Sequence, residues 1–275
     1  MYNTMADFNP SPLRISTITA LCGIGCEVPL KELNEHLQVN DNICYIRYEN
    51  QERGNSFRKR KKTKKSFYNQ VTLLVVLPKK NPEDETRRLN VKVFKNGQLQ
   101  MTGVKSEYEG HAGVAVLLEE LRRVFQHTEY AFKEENYRTV LINSDFRIGY
   151  KINREKLYHL LDQHYGMYVS YEPCIYPGVN AKYFWNATDA SRSGICFCDD
   201  VCNGKGSGKH KGECKKVTIA TFQSGTVIIT GANSMQQLKD AHTFICGVFS
   251  KHEHLIKKKV IPLPKANRVF ALKKK

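Results

Sequence analysis

No apolar run in the sequence approaches the roughly 20 residues that a membrane-spanning helix requires. The polar start MYNTMADFNPSP also lacks the profile of an export signal. These two absences predict an intracellular protein that is not secreted. Acid is in short supply: 27 Asp and Glu against 43 Lys and Arg leave a formal net charge of +16. A surplus of that size implies a polyanionic partner, because Lys and Arg gain free energy by releasing counterions from phosphates, and nucleic acid comes first. No pair of carboxylates and no nucleophile constellation stands out, and the cysteine-rich stretch lacks the His-x-Glu of zinc deaminases. An enzyme is therefore not expected. With no export signal, the nine cysteines read as reduced thiols or metal ligands before disulfides.

What the sequence does contain is itself, twice. Phe94, Gly97, Thr102 and Gly103 in FKNGQLQMTG recur as Phe222, Gly225, Thr230 and Gly231 in FQSGTVIITG, at a constant offset of 128. Ser106 and Ser234 follow at the same offset and each opens a helical pattern, Val114, Leu117, Leu118, Leu121 and Phe125 in one copy, Leu238, Ala241, Ile245 and Val248 in the other. A shorter helix precedes each, around Leu30–Leu37 and Arg154–Leu161. Each half reads as strand, helix, several strands, helix, with Phe-x-x-Gly as a hairpin turn. This predicts an antiparallel α+β unit used twice.

Strand parity sorts the second hairpin into two faces. Odd positions carry Val217, Ile219, Val227 and Ile229, a core facing helices. Even positions carry Thr218, Ala220, Phe222, Ser224, Thr226, Ile228 and Thr230. That face is uncharged, small and mildly apolar, apart from one aromatic. It suits either a second packed layer or the minor groove of duplex DNA, where A·T pairs offer acceptors to Thr hydroxyls and an aromatic can wedge between base steps.

These motifs resemble the TATA-box-binding proteins, in the divergent form that large DNA viruses encode. SYEPCIYPG (Ser170–Gly178) is similar to the family's Ser-Tyr-Glu-Pro-x-x-Phe-Pro-Gly, and VFKNGQLQMTGVKSE and ATFQSGTVIITGAN to its Thr-Gly-Ala-Lys segments. IGCEVPLKEL (Ile24–Leu33) echoes the family's beginning, and the match spans roughly residues 13–250. The resemblance implies two pseudo-symmetric repeats forming one curved antiparallel β-saddle, helices on its convex face, and a monomer on double-stranded DNA. It also implies a transcription initiation factor that bends A/T-rich promoters and meets a B-type initiation factor and RNA polymerase. Its place of work would be the nucleus, a cytoplasmic viral transcription site or the virion. A sequence-tolerant architectural DNA-binding protein is the alternative.

Carried over by motif, the wedge aromatics become Phe67 and Phe94 in the first repeat and Tyr176 and Phe222 in the second, with Tyr68 as an alternative to Phe67. Groove contacts map to Thr102, Thr230, Ile228, Ala220 and Gln100. Of two central asparagines in the family, the first aligns with Thr17 and the second falls on Leu141 or Asn143, which share strand parity. Lys105 and Lys182 are candidate phosphate contacts. The first repeat is the more polar, with Lys92, Asn96, Gln98 and Gln100 on its groove side, which leaves room for G·C pairs.

Departures from the family are insertions. The repeats are expected at 13–135 and 136–256, between an N-terminal tail 1–12 and a basic tail 257–275. The resemblance places stirrup insertions at 77–89 and 186–216, and a basic insertion at 50–66. The last holds RKRKKTKK, with seven bases in eight residues. Such a run cannot fold alone, and its Arg58, Lys59, Arg60, Lys61 and Lys62 are expected on phosphates or in a nuclear-import signal. The longer insertion holds Cys196, Cys198, Cys202 and Cys214, with His210 among them. Free thiols or a structural zinc fit that set. The remaining cysteines read as small packed hydrophobes.

Overall fold

The computed structural model describes residues 8–57, 68–79, 81–126, 129–200 and 202–259. The first repeat contains β1 (Arg14–Gly23), α1 (Leu30–His36), β2 (Ile43–Tyr48), β3 (Gln51–Gly54), β4 (Gln70–Val76), β5 (Arg88–Phe94), β6 (Gln98–Val104) and α2 (Glu107–Val124). The second contains β7 (Glu135–Arg147), α3 (Arg154–His159) with a π-helical turn at Leu160–His164, β8 (Tyr168–Ser170), β9 (Val179–Trp185), β10 (Lys215–Thr221), β11 (Thr226–Ala232) and α4 (Met235–Ile256).

All eleven strands join one sheet in the order β3-β2-β4-β5-β6-β1-β7-β11-β10-β9-β8, and each neighbouring pair is antiparallel. The order is a palindrome about β1 and β7, apart from β3. The two repeats therefore share one saddle-shaped sheet across a pseudo-twofold axis, as the duplicated motifs predict. Val217 and Ile219 of β10 and Val227 and Ile229 of β11 are buried on the side that meets α4, and Val217, Val227 and Ile229 are fully enclosed. Under α2 lie Val91, Val93, Leu99 and Met101, met by Val114, Leu117 and Leu121. Burying each such side chain contributes about 1.5–3 kcal/mol. One face of the sheet is thus committed to helices and the other is left for a partner.

The repeats match down to their turns. Gly97 and Gly225 have φ of +74° and +84°, and a Cβ there would stand 2.0 Å from the Cys26 carbonyl oxygen and 2.2 Å from that of Tyr150. Only glycine allows that approach, which lets the Ile24 and Ile148 amides donate to the two glycine carbonyls, both at 3.0 Å. Ser106 and Ser234 cap α2 and α4 by accepting from the amides of Glu109 and Gln237. Glu109 and Gln237 reach back to the amides of Lys105 and Asn233, both at 2.9 Å.

Three boundaries differ from the sequence reading. Gln51–Gly54, the start of the expected basic insertion, is β3, added to the sheet edge by pairing with β2. The two long connections are shorter than expected, because Arg88 pairs with Val76 and Lys215 with Trp185. Both connections also lie at the hairpin ends opposite Phe94, which pairs with Gln70, and Phe222, which follows the Thr221–Val179 pair.

Candidate nucleic-acid interface

The helix-free face of the second repeat is built by even residues. Thr218 pairs with Thr230 and Lys182, Ala220 with Ile228 and Asn180, and Ile228 with Asp145. Ala220 is only 3 % exposed, so it forms a floor between its larger neighbours. In the first repeat the equivalent row is Asn90, Lys92 and Phe94 on β5, with Gln98, Gln100 and Thr102 on β6.

At one end of this face the Tyr176 and Phe222 rings meet edge to face, 5.7 Å between centroids. Gly178 makes the pair possible: a Cβ there would lie 2.9 Å from the Tyr176 ring and 3.2 Å from Phe222. Tyr176 stays 40 % exposed. At the other end Phe94 pairs with Gln70. Tyr176 precedes Gly178 by two residues, as Tyr68 precedes Gln70, and Gly178 is the position that pairing sets opposite Phe222. The register thus favours Tyr68, 69 % exposed, over Phe67 as the counterpart of Tyr176. Phe67 lies outside the described residues.

At the centre, Thr230 donates its hydroxyl to the Asn143 side chain, and Asn143 pairs with Thr230 on one side and Thr17 on the other. Leu141 shares the face, opposite Thr19. Thr102 pairs with Thr19, as Thr230 does with Asn143, so Thr19 and not Thr17 is the pseudo-symmetric mate of Asn143. Bulges in β1 cause the slip. The Thr17 hydroxyl is used inside the sheet, where it accepts from the Gly103 amide at 3.0 Å. Thr19 was missed because only pairing registers reveal it.

Charge on the face is placed with economy. Lys182 lies against Asn180 Oδ1 at 2.8 Å and Thr218 Oγ1 at 3.1 Å, and burial and then Lys216 pull its pKa down. Lys105, a candidate phosphate contact, donates its ammonium to the carbonyls of Ile15, at 3.1 Å, and Ser16. Asp145, an acid near the midline, is clasped by Arg14 at 2.9 Å and by the Ser16 hydroxyl. Against the upward pull of desolvation, these two partners hold its carboxyl below the usual value. Arg58, Lys59, Arg60, Lys61 and Lys62 lie outside the described residues.

The β9–β10 connection folds on the helix side. Trp185 Nε1 donates to Asp240 of α4 at 2.7 Å, and Arg192 reaches the same carboxylate at 3.3 Å. Within it the ligand atoms of Cys196, Cys198, Cys202 and Cys214 all lie within 4.8 Å of one another. Cys214 Sγ is 3.7 Å from that of Cys196 and 3.4 Å from that of Cys198. Four sulfurs bound tetrahedrally to zinc would be spaced by about 3.8 Å, so the donor set fits such an ion. Burial, followed by the Cys198 and Cys196 thiols, pushes the Cys214 thiol up. Cys202 is lowered: the Gly204 amide and neighbouring thiols outweigh its desolvation. His210 is not part of that cluster; its carbonyl accepts from the Asn186 side chain at 2.9 Å and the Glu213 amide at 3.2 Å. All nine cysteines are free, and Cys174 is exposed instead of packed.

No helix among the described residues is long and apolar enough to cross a membrane. No protein-family model matches the chain. Among solved structures, Methanococcus jannaschii TBP has the same fold, with a TM-score of 0.51 at 16% identity over 87% of this chain and 98% of that one. A protein described as "TATA-box-binding protein-like", from Acanthamoeba polyphaga mimivirus, is 32% identical over 276 residues, 93% of this chain and 69% of the relative. With that identity and coverage, on a fold of two repeats about one saddle, the chain belongs to the TATA-box-binding protein-like family.

Proposed function

We propose that the chain is a monomeric initiation factor that binds A/T-rich promoter DNA through the minor groove, bends it and nucleates assembly with a B-type initiation factor and RNA polymerase. One observation carries this reading: the helix-free face ends in aromatics at both extremes of a pseudo-twofold, and between them the second repeat presents threonines, Ala220 and Ile228. Threonines and Asn143 supply donors for A·T acceptors. Tyr68 with Phe94, and Tyr176 with Phe222, are the wedges. In minor-groove proteins that wedge the duplex open, unstacking a base step costs on the order of a few kcal/mol, offset by the surface that bent DNA wraps. The chain acts by binding and not by catalysis. We also assign a structural zinc to the four-cysteine cluster, where it orders a loop that has little core of its own.

Bending tests the reading. Phe222→Ala and Phe94→Ala should each keep the fold and salt-sensitive binding yet lose most of the bend, read by end-to-end fluorescence transfer on a labelled A·T-rich duplex. Equal bending by both variants and the wild type would refute the wedge assignment. Selection from random duplexes then separates a promoter factor, which enriches one sequence, from an architectural protein, which enriches none.

A further inference from the structure

The two halves of the groove face differ most at one cross-strand pair. Lys92 stands opposite Gln100 on β5 and β6. At the same places in the other repeat, 128 positions on, Ala220 stands opposite Ile228. Lys92 precedes Phe94 by two residues, and Ala220 precedes Phe222 by two. A base pair just inside the first aromatic end therefore meets an amide and a cation, and its symmetry mate meets hydrocarbon.

Minor-groove chemistry makes that difference selective. A·T pairs show only acceptors, and a G·C pair adds the guanine N2 amino donor. Over Ala220 and Ile228 that amino group would lose its water and find no acceptor, which is costly for a buried donor. Over Gln100 it meets a side-chain carbonyl, and Lys92 can donate to the O2 and N3 acceptors that every pair presents. Two further observations point the same way. An open concavity of about 540 Å³ lies in the first repeat beside Leu21, Phe94, Gln98 and Gln100, room for a protruding amino group. Among the described residues the Lys92 and Gln100 side chains have no hydrogen-bond partner, unlike that of Lys182, which is tied to Asn180 and Thr218.

We infer that the recognised site is directional: a G·C pair is accepted beside Phe94 and rejected beside Phe222, with Lys92 and Gln100 as the specificity-determining pair. The inference rests on the minor-groove reading above.

The test uses the full chain and duplexes that carry a single G·C substitution at each position of a selected site, with binding by competition and bending by fluorescence transfer. For the wild type, G·C should weaken binding about tenfold at one end and less than about twofold at the other. The Lys92→Ala/Gln100→Ile variant should show about a tenfold penalty at both ends, and Ile228→Gln should relax the second. Equal wild-type penalties at both ends, or penalties unmoved by these substitutions, would overturn the directional inference and leave the bending mechanism standing. If the double variant does not fold, Ile228→Gln decides alone. A wild type that bends none of the duplexes overturns both readings.

Discussion

Individual residues were legible where the chain repeats them and illegible where pairing decides. Phe94 and Phe222, or Thr102 and Thr230, come from the offset of 128 alone. Thr19 does not, because bulges in β1 slide its register by two positions, and Tyr68 does not, because an uncertain strand start moves parity by one and exchanges the two faces of the sheet. The exchange can be measured. Tyr68→Ala should cut bending at the first-repeat end as far as Phe94→Ala does, and Phe67→Ala should leave most of it. The opposite ranking would restore Phe67. The acid at the midline gives a second check. Asp145 is lowered because Ser16 and Arg14 outweigh its desolvation, so its stabilising effect holds above the ordinary carboxylate value of 3.8 and is lost as pH falls through the lower folded one. Arg14→Ala should raise that folded value, followed by carboxyl carbon NMR shift against pH. An unmoved Asp145 would mean that the Arg14 contact contributes nothing.

Whole elements were the most readable part of the sequence. Helical periodicity and a Ser cap announce α2 and α4, and the structure keeps both caps. Ser106→Ala should cost about 1 kcal/mol, measured by denaturant unfolding. The four-cysteine connection was the least readable. Irregular spacing conceals its geometry, and the anchors that fold it back, Trp185 and Arg192 on Asp240, are tertiary contacts with no local pattern. Zinc at this cluster should appear as about one equivalent per chain by elemental analysis. Cys198→Ser/Cys214→Ser should lose it, as should acidification, because thiolates must be deprotonated to bind. Metal below about a tenth of an equivalent in protein prepared without chelators would return the cluster to four free thiols.

For the molecule as a whole, duplication made the sheet order predictable, whereas charge shows only that phosphate is near. The surplus of +16 has to be located. On the groove face Lys182 is bound to its neighbours and Lys92 is the lysine left to meet DNA, while Lys105 is turned to the backbone carbonyls of β1, so the face supplies only part of the attraction. RKRKKTKK is the larger reservoir. Phe57, the last described residue before it, lies 4.1 Å from the Arg88 guanidinium, and Arg88 shares strand parity with Lys92. Replacing its seven bases with Ser or Gln should weaken binding to all duplexes alike. The slope of log K against log salt should shrink by roughly 0.9 for each phosphate that the variant no longer neutralises. Bending by the remaining complex should persist, because the aromatics are untouched. A changed base preference would contradict a phosphate-only role for the run, and an unchanged salt slope would place the electrostatic attraction elsewhere on the chain.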